Sequence, residues 1–359
     1  MSEDVKYSVR SLAAARAFDR ELFEELGSWG RTRYSATDSA FDTLTQFSFV
    51  WEAEIRGAGW YSIHALLRRV LRELGDDRLQ EADAALEAIY RKRSQASDSL
   101  ALAEAIYYAY RQEPEIGLQE WVAAFERASE QSRYEVCEAL RTVRSDFETT
   151  NPWWRGRMAE EEGRYLLDRS RYSEAGEALQ SGVAAFDETL NLVPDDSGAY
   201  NSKGNALQSY GDLLAGLSRY GEAEEAYRGA LAAYDEALDR APDDPKVHNN
   251  KGNALQSYGN LLAVRSRNKE AEEAYAAAAT TFDGALRRSP DYTDAHYNKG
   301  LTLSAWGDTM RYLVPVEVTR ARWEAAQTHF KHVLAQAPQD KGAEWNLAHL
   351  GEQLESLHA

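Results

Sequence analysis

The sequence contains a single cysteine, Cys137, and no long apolar run. One cysteine excludes an internal disulfide framework and is typical of a reducing compartment. Cys137 lies in the helical-looking stretch Tyr134–Leu140, where we expect a buried, unreactive thiol. The apolar cluster at residues 47–51 is far shorter than the roughly 18 residues that span a bilayer. The acidic N-terminal residues also lack the core of a signal peptide. We therefore expect a soluble, cytoplasmic protein.

Basic charge is also scarce. Asp and Glu number 59 against 41 Lys and Arg, which gives a net charge of −18. An acidic surface of this kind disfavours nucleic acid and anionic membranes as partners, and it attracts basic ones. The sequence has no phosphate-binding glycine loop and no nucleophile elbow. We therefore expect neither an enzymatic activity nor a cofactor.

An internal repeat of 48 residues is the main feature that the second half contains. Glycines, prolines and aromatic residues recur at this interval, in the series Gly156, Gly204, Gly252, Gly300; Pro194, Pro242, Pro290, Pro338; and Phe186, Tyr234, Phe282, Phe330. Residues 197–244 and 245–292 are identical at 28 of 48 positions. Three kinds of landmark at one period indicate a stack of four copies of one supersecondary unit.

Each unit is predicted to contain two helices. Small and apolar residues lie three or four positions apart through residues 204–214 and again through 223–238, which is the helical spacing. We predict a turn at Arg219–Gly221, the end of the second helix at Pro242, and a cap for the next helix from Asp243 or Asp244. A glycine inside a helix is destabilising by about 1 kcal/mol. Its recurrence therefore suggests that two helices approach each other closely at that point.

This pattern resembles the tetratricopeptide repeat. The residues that carry the resemblance are Tyr200, Gly204, Ala230, Tyr234, Ala237 and Pro242. The family's unit is shorter, and the intervals Gly204–Gly211 and Ala223–Ala230 indicate that each helix has gained seven residues. Seven residues are close to two helical turns, so the buried face drifts by only about 20°. The resemblance implies an all-α fold, an α-solenoid of stacked antiparallel helix pairs in a right-handed superhelix.

The predicted organisation has three parts. Residues 151–340 form four repeats, and residues 341–359 form a C-terminal capping helix whose inner face comprises Trp345, Leu347, Leu350 and Leu354. Residues 1–150 show no clear 48-residue register but read as helices, among them Leu79–Arg93 and Leu100–Tyr110. They are either degenerate repeats or a distinct helical cap.

The resemblance also implies a binding face. In the tetratricopeptide family the first helix of each pair lines a concave surface that holds peptides or partner helices. Carried over by position, this surface comprises Trp153, Arg157, Asn201, Asn205, Gln208, Asn249, Asn253, Gln256, Tyr297, Leu301 and Ser304. Side-chain amides donate and accept hydrogen bonds, so they suit the backbone of a bound peptide. The alternative is that these amides bridge neighbouring helices or remain from a recent duplication.

Other charged and metal-binding patterns have simpler interpretations. A carboxylate clamp is disfavoured, because Lys203, Lys251 and Lys299 directly precede the glycines; we expect their stems to pack along the helix with the ammonium in water. The run at residues 160–162 is read as a solvated helix face. His329 and His332 lie one turn apart with His349 later, but no third ligand is evident, so we expect no metal site.

These observations predict a non-enzymatic scaffold or adaptor that binds a segment of another protein along the first helices. A second hypothesis is a regulatory or effector subunit of a bacterial signalling or defence assembly, possibly linked to a protease. Its N-terminal half would carry the specific activity and its repeats would dock partners. Self-association through the same surface stays open.

Overall fold

In a computed structural model of the protein, residues 3–30, 33–53, 56–74, 77–95 and 98–357 are described. Contacts divide the chain into two compact units, Met1–Thr149 and Thr150–Ala359. The described elements of the first unit are α1 (Glu3–Leu12), α2 (Arg20–Gly27), α3 (Asp38–Thr45), β1 (Val50–Glu52), β2 (Tyr61–Ile63), α4 (Ala65–Glu73), α5 (Asp77–Ser94), α6 (Ser99–Gln112), α7 (Pro114–Glu130) and α8 (Tyr134–Arg144). Those of the second unit are α9 (Pro152–Asp168), α10 (Tyr172–Leu192), α11 (Ser197–Gly216), α12 (Tyr220–Arg240), α13 (Pro245–Val264), α14 (Asn268–Arg288), α15 (Thr293–Met310), α16 (Val316–Gln336) and α17 (Lys341–Ser356).

The second unit is an all-α solenoid of stacked helix pairs, which confirms the predicted fold class. The pairs are α9 with α10, α11 with α12, α13 with α14, and α15 with α16, and each pair packs on the next. We call α9, α11, α13 and α15 the first helices. They also contact one another across successive repeats, α9 with α11, α11 with α13, and α13 with α15. The side chains on their shared surface are therefore continuous from one repeat to the next.

Recurring glycines allow the helices of each pair to approach closely, as predicted. A Cβ atom at Gly204 would lie 2.6 Å from Cε1 of Tyr234, and one at Gly252 would lie 2.7 Å from Cε1 of Phe282. Both rings are fully buried. Such distances are shorter than the roughly 3.5–4.0 Å of an ordinary carbon–carbon contact, so only glycine fits against the ring. The same arrangement holds Phe186 against Gly156 and Phe330 against Gly300.

The turn inside each repeat lies two residues earlier than predicted. Ser218 has a positive φ of 59°, while Arg219 N–H donates to Leu214 O at 2.8 Å, a Schellman ending of α11. Ser170 and Ser266 have the same conformation, with φ of 58° and 59°. Gly221 instead lies in the first turn of α12 with open space around it. The prediction of a turn at Arg219–Gly221 was wrong because serine, not glycine, occupies the left-handed position.

Helix caps and the terminal helix follow the sequence pattern in part. Asp244 caps α13, since its carboxylate accepts from Lys246 N–H at 2.8 Å. In α17, Leu350 is buried, and Leu347 and Leu354 pack on the same core. Trp345 differs from the prediction, because it is 64% exposed and its ring stacks on His349. Leu357, Leu334 and Leu301 complete the apolar surroundings of this helix.

The regular elements among the described residues of the first unit are helices and one short hairpin. Helices α5 and α6 confirm the two stretches predicted at residues 79–93 and 100–110. Strands β1 and β2 pair antiparallel with Val50 opposite Ile63, and Phe18 forms an isolated bridge with Tyr61. Strands of three residues are too short to show alternation in a sequence, so they were missed. Cys137 is buried as expected, and burial raises the pKa of its thiol to about 11.

The last pair of the first unit has the turn geometry of the repeats. Ser132 joins α7 to α8 with a φ of 55°, and Arg133 N–H donates to Ala128 O at 2.8 Å. Pro114 begins α7 as Pro152 begins α9. This geometry favours a shortened repeat for α7 and α8. Helices α1–α3 and the hairpin have no counterpart in the repeats.

Candidate partner-binding face

The candidate site is a strip of amide side chains on the first helices. We call Asn201, Asn205, Gln208, Asn249, Asn253 and Gln256 the amide face. All except Asn249 are half-buried, and Asn249 is buried. The strip runs across α11 and α13, whose contact was described above. An amide group has two N–H donors and an oxygen that can accept two hydrogen bonds. What the face can bind therefore depends on which of these atoms the protein itself already uses.

Two amides of the face bridge neighbouring repeats. Asn250 Nδ2 donates to Asn201 Oδ1, and Asn298 Nδ2 donates to Asn249 Oδ1, each at 3.1 Å. Asn201 and Asn249 therefore hold first helices together. Sequence reasoning missed Asn250 and Asn298 as their partners, although their spacing of 48 residues was a usable signal.

Asn205 belongs to a buried network. Its Nδ2 donates to Glu160 Oε1 at 3.1 Å, and its Oδ1 accepts from the Tyr234 hydroxyl at 2.8 Å. Glu160 is fully buried, and its other oxygen accepts from Arg157 Nη1 at 2.8 Å. Gln208 Oε1 lies 3.2 Å from the same hydroxyl. Because both ends of its amide are occupied, Asn205 is committed to the stability of α9 and α11.

The next repeat lacks this network because phenylalanine replaces tyrosine. Phe282 occupies the place of Tyr234 but has no hydroxyl to donate to Asn253. Within the described residues, Asn253 makes no side-chain hydrogen bond. Gln256 Oε1 accepts from Thr302 Oγ1 at 3.0 Å, which leaves its NH₂ group unused by the described part of the chain. The atoms left available are thus the whole amide of Asn253 and the NH₂ groups of Gln208 and Gln256.

The other residues predicted for the binding surface, on α9 and α15, make contacts within the repeats. The Trp153 ring meets Phe186 edge to face at 5.9 Å, and the Tyr297 ring meets Phe330 in the same way at 5.7 Å. Leu301 packs on the C-terminal apolar cluster, and Ser304 is half-buried on α15. Trp153 and Tyr297 keep a partly exposed edge, so they stay candidates for contact with a partner.

Comparison with known proteins gives similarity only at the level of solved structures. No family model matches the chain, and no curated protein matches it. Similar structures include YrrB, described as a TPR protein with an unusual peptide-binding site, at 17% identity over 67% of this chain and 96% of that chain, with a TM-score of 0.30. A MamA RS-1 ArsTM double mutant matches at 19% identity over 62% and 97%, with a TM-score of 0.29.

A third similar structure is a STAND ATPase with a tetratricopeptide repeat sensor from Pyrococcus horikoshii. It matches at 12% identity over 99% of this chain and 63% of that chain, with a TM-score of 0.26. TM-scores in this range do not establish a shared overall shape. We therefore assign the fold class from the helix pairing and the glycine–aromatic packing described above.

The glutamates at residues 160–162 are buried, which contradicts the prediction of a solvated helix face. Glu160 and Glu161 both pair with Arg157, at 2.8 and 3.2 Å. Arg157 is therefore held on α9 by two carboxylates. Three consecutive residues cover more than half of a helix circumference at 3.6 residues per turn. The burial of all three means that α9 is enclosed on most sides, and a charge run alone does not reveal this.

The lysines that precede the glycines are also not free in water. Lys203 Nζ lies 2.6 Å from Asp187 Oδ1, and Lys299 Nζ lies 2.5 Å from Asp283 Oδ1. Lys251 pairs with Asp235 in the same register. Each lysine joins a first helix to the second helix of the preceding repeat. This arrangement gives them a structural role and leaves a carboxylate clamp without its cations.

His329 and His332, the two histidines one turn apart, form a cluster with His296 and not with His349. His296 Nδ1 lies 2.8 Å from His329 Nδ1, and the His296 ring stacks on His332. His296 Nε2 donates to Pro290 O at 2.9 Å, so the neutral ring accepts at Nδ1. Burial lowers the pKa of His329 to about 4. Among the described residues, no group of three histidine, cysteine or acidic side chains has the geometry to hold a metal ion.

No helix of the described residues is long and apolar enough to cross a membrane.

Proposed function

We propose that the protein is a non-enzymatic, cytoplasmic scaffold whose repeats bind an extended segment of another protein along the amide face. The observation that carries the proposal is the unused hydrogen-bonding capacity of Gln208, Asn253 and Gln256 on adjacent first helices. These groups project from packed helices, so the receptor loses little conformational freedom on binding. Their donors and acceptors match the backbone of an extended peptide whatever its side chains.

The net charge of the protein favours a partner segment with basic flanking residues. The face itself is uncharged, whereas the protein as a whole has a net charge of −18. A segment whose flanking residues are basic would be attracted to the acidic protein and then bound by neutral amides. Trp153 and Tyr297 would add apolar contacts at the two ends, since aromatic residues are enriched at binding hot spots.

The triple variant Gln208→Ala, Asn253→Ala, Gln256→Ala tests this proposal. Asn205 is left intact, because its truncation would leave Glu160 Oε1 buried without a hydrogen bond and so confuse binding with stability. The intact chain and the variant are used as baits in a host extract, and captured proteins are quantified by mass spectrometry. We expect the variant to capture about tenfold less of its partner, or less still. Its melting temperature should fall only slightly, because Tyr234 and Thr302 lose one acceptor each but keep Asn205 and Asn298 O as partners.

A double variant, Asn191→Ala with Gln339→Ala, is the matched control. Asn191 lies on the second helix α10, and Gln339 lies between α16 and α17; both are exposed amides away from the amide face. We expect it to capture the partner as the natural chain does. Equal capture by the triple variant would refute the amide face as the binding site. Capture of the chain itself would indicate self-association.

A further inference from the structure

The first unit contains a cavity that the repeat-based function does not use. Its volume is about 670 Å³, which lies within the range of small-molecule sites. The segment between α1 and α2, the hairpin, α4, α6 and the end of α8 all contribute to its wall. The lining residues are Arg16, Ala17, Glu52, Ala53, Arg56, Ser62, Arg68, Leu100, Thr142 and Asp146.

Two of the three arginines in the wall have acidic partners. Arg16 donates to Glu104 Oε1 and to Thr142 O, each at 2.9 Å, and its Nε lies 2.8 Å from Asp146 Oδ2. Arg56 pairs with the same oxygen of Glu104. Glu104 is buried, so these two guanidinium groups share one desolvated carboxylate. Their charges are compensated within the protein.

Arg68 is different. Within the described residues it has no ion pair and no side-chain hydrogen bond, and its Nε is buried without a partner. Burial lowers the pKa of its guanidinium; Arg72 and Arg16 lower it further, while Tyr108 acts in the opposite direction. The Asp83 carboxylate interacts with Arg68, but it interacts more strongly with Arg111 and Arg72. A desolvated cation whose charge is compensated only in part is destabilising. An anion placed against it would therefore gain an interaction that water does not supply at this position.

We propose that this cavity binds a small molecule that carries a phosphate or carboxylate group, with the oxyanion on Arg68 and the apolar part of the ligand against Leu100 and Ala53. A guanidinium offers two parallel N–H donors to such a group. Leu100 is 50% exposed and borders the cavity, which gives the remainder of the ligand an apolar contact. This inference does not depend on the amide face, and a ligand here would suit a regulatory subunit.

Calorimetric titration of the full chain tests the proposal. The probes are pyrophosphate and AMP for the phosphate class and citrate for the carboxylate class, all at one ionic strength. We expect saturable binding of at least one class. Arg68→Gln should weaken it about tenfold or more, the loss expected for a charge-assisted hydrogen bond. Arg69→Gln is the matched control, because Arg69 is 73% exposed on the same helix and pairs with Glu73.

Two further readouts separate binding from folding. Without a probe, Arg68→Gln should melt at the same or a higher temperature, because it removes a desolvated charge that Asp83 compensates only in part. Leu100→Trp should block the cavity by bulk alone while the arginines stay in place. The absence of saturable binding for every probe would overturn the proposal. Equal affinities of the Arg68 and Arg69 variants, or an unaffected Leu100→Trp variant, would overturn it as well.

Discussion

Replacing Gly252 by alanine is expected to destabilise the protein, although alanine is the better helix former. In a helix interior, alanine is favoured over glycine by about 1 kcal/mol. The added Cβ would lie 2.7 Å from both Cε1 and Cζ of Phe282, a ring that is fully buried. To restore an ordinary contact, the ring or the helix must move by about 1 Å. Steric overlap in a packed core typically costs about 1–3 kcal/mol.

We expect the cost of the steric overlap to exceed the gain in helix propensity, because the neighbouring Phe282 ring is rigid. A flexible side chain could rotate away, but a buried phenylalanine ring cannot do so without opening its own contacts. We therefore place the cost at the upper end of the range and expect a net loss of about 1–2 kcal/mol in the free energy of unfolding. For a unit of this size, that corresponds to a fall of about 2–8 °C in the melting temperature.

Gly221→Ala is the control with the opposite expected sign. Gly221 lies in the first turn of α12, and a Cβ atom there meets nothing within 4 Å. Only the propensity gain remains, so we expect a rise of about 0.5–1 kcal/mol in the free energy of unfolding. Both variants are compared with the natural chain by thermal melting followed by circular dichroism.

A double variant identifies the cause. Gly252→Ala combined with Phe282→Leu should lose less than the sum of the single changes, because the smaller side chain makes room for the methyl group. If Gly252→Ala raises the melting temperature as Gly221→Ala does, the explanation of the recurrent glycines by close helix approach is wrong.

Three other predictions concern a hydroxyl, a turn and a histidine. Tyr234→Phe should lower the free energy of unfolding by about 1 kcal/mol, because Asn205 loses its donor; chemical denaturation measures this, and an unchanged midpoint would contradict the network. Ser218→Gly should raise the melting temperature, since glycine adopts a positive φ without the roughly 1 kcal/mol that other residues require. The pKa of His329 is about 4 in the folded protein against an ordinary value of 6.5, with burial as the main cause and Lys299 adding to it. Its neutral form is therefore favoured by folding, and this stability is present above pH 6.5 and lost as the pH falls towards 4. His329→Gln should flatten the dependence of the melting temperature on pH in that window, and an unchanged slope would exclude His329 as its source.

The parts of the fold that the sequence predicted are those with local causes. Helix pairing follows from residue spacing, and the place of Gly204 against Tyr234 follows from one period repeated several times. Asp244 caps a helix because it lies two residues before the N–H group of Lys246. Each of these depends on neighbours along the chain or on exact repetition, which a single sequence displays directly.

The parts that were wrong depend on neighbours in space. Glu160 is buried and accepts a hydrogen bond from Asn205, which lies 45 residues later in the chain. No local sequence pattern predicts such a contact. Lys251 pairs with an aspartate of the preceding helix. Whether these two side chains meet depends on how the two helices pack. The environment of Arg68 has no signal in the sequence, because it results from the way in which other arginines pair with the nearby carboxylates.

The amides of the candidate face could not be told apart from the sequence. Asparagine at two positions of the repeat looked equivalent in the sequence. The structure separates Asn201 and Asn249, which bridge helices, from Asn253, which has no described partner. A single hydroxyl, present in Tyr234 and absent in Phe282, accounts for the difference between Asn205 and Asn253. The sequence shows the exchange of tyrosine for phenylalanine, but it does not show that the hydroxyl reaches the amide.

The bonds between repeats also constrain how the chain can change in length. Asn201 with Asn250, and Asn249 with Asn298, are each 49 residues apart, and the lysine–aspartate pairs are each 16 apart. A gene duplication that adds 48 residues in register would recreate every one of these partnerships in the new copy. An insertion of any other length between the helices would disrupt all of these bonds at once. We therefore expect such a protein to gain or lose whole repeats during evolution, so that its binding face changes in length by one repeat at a time.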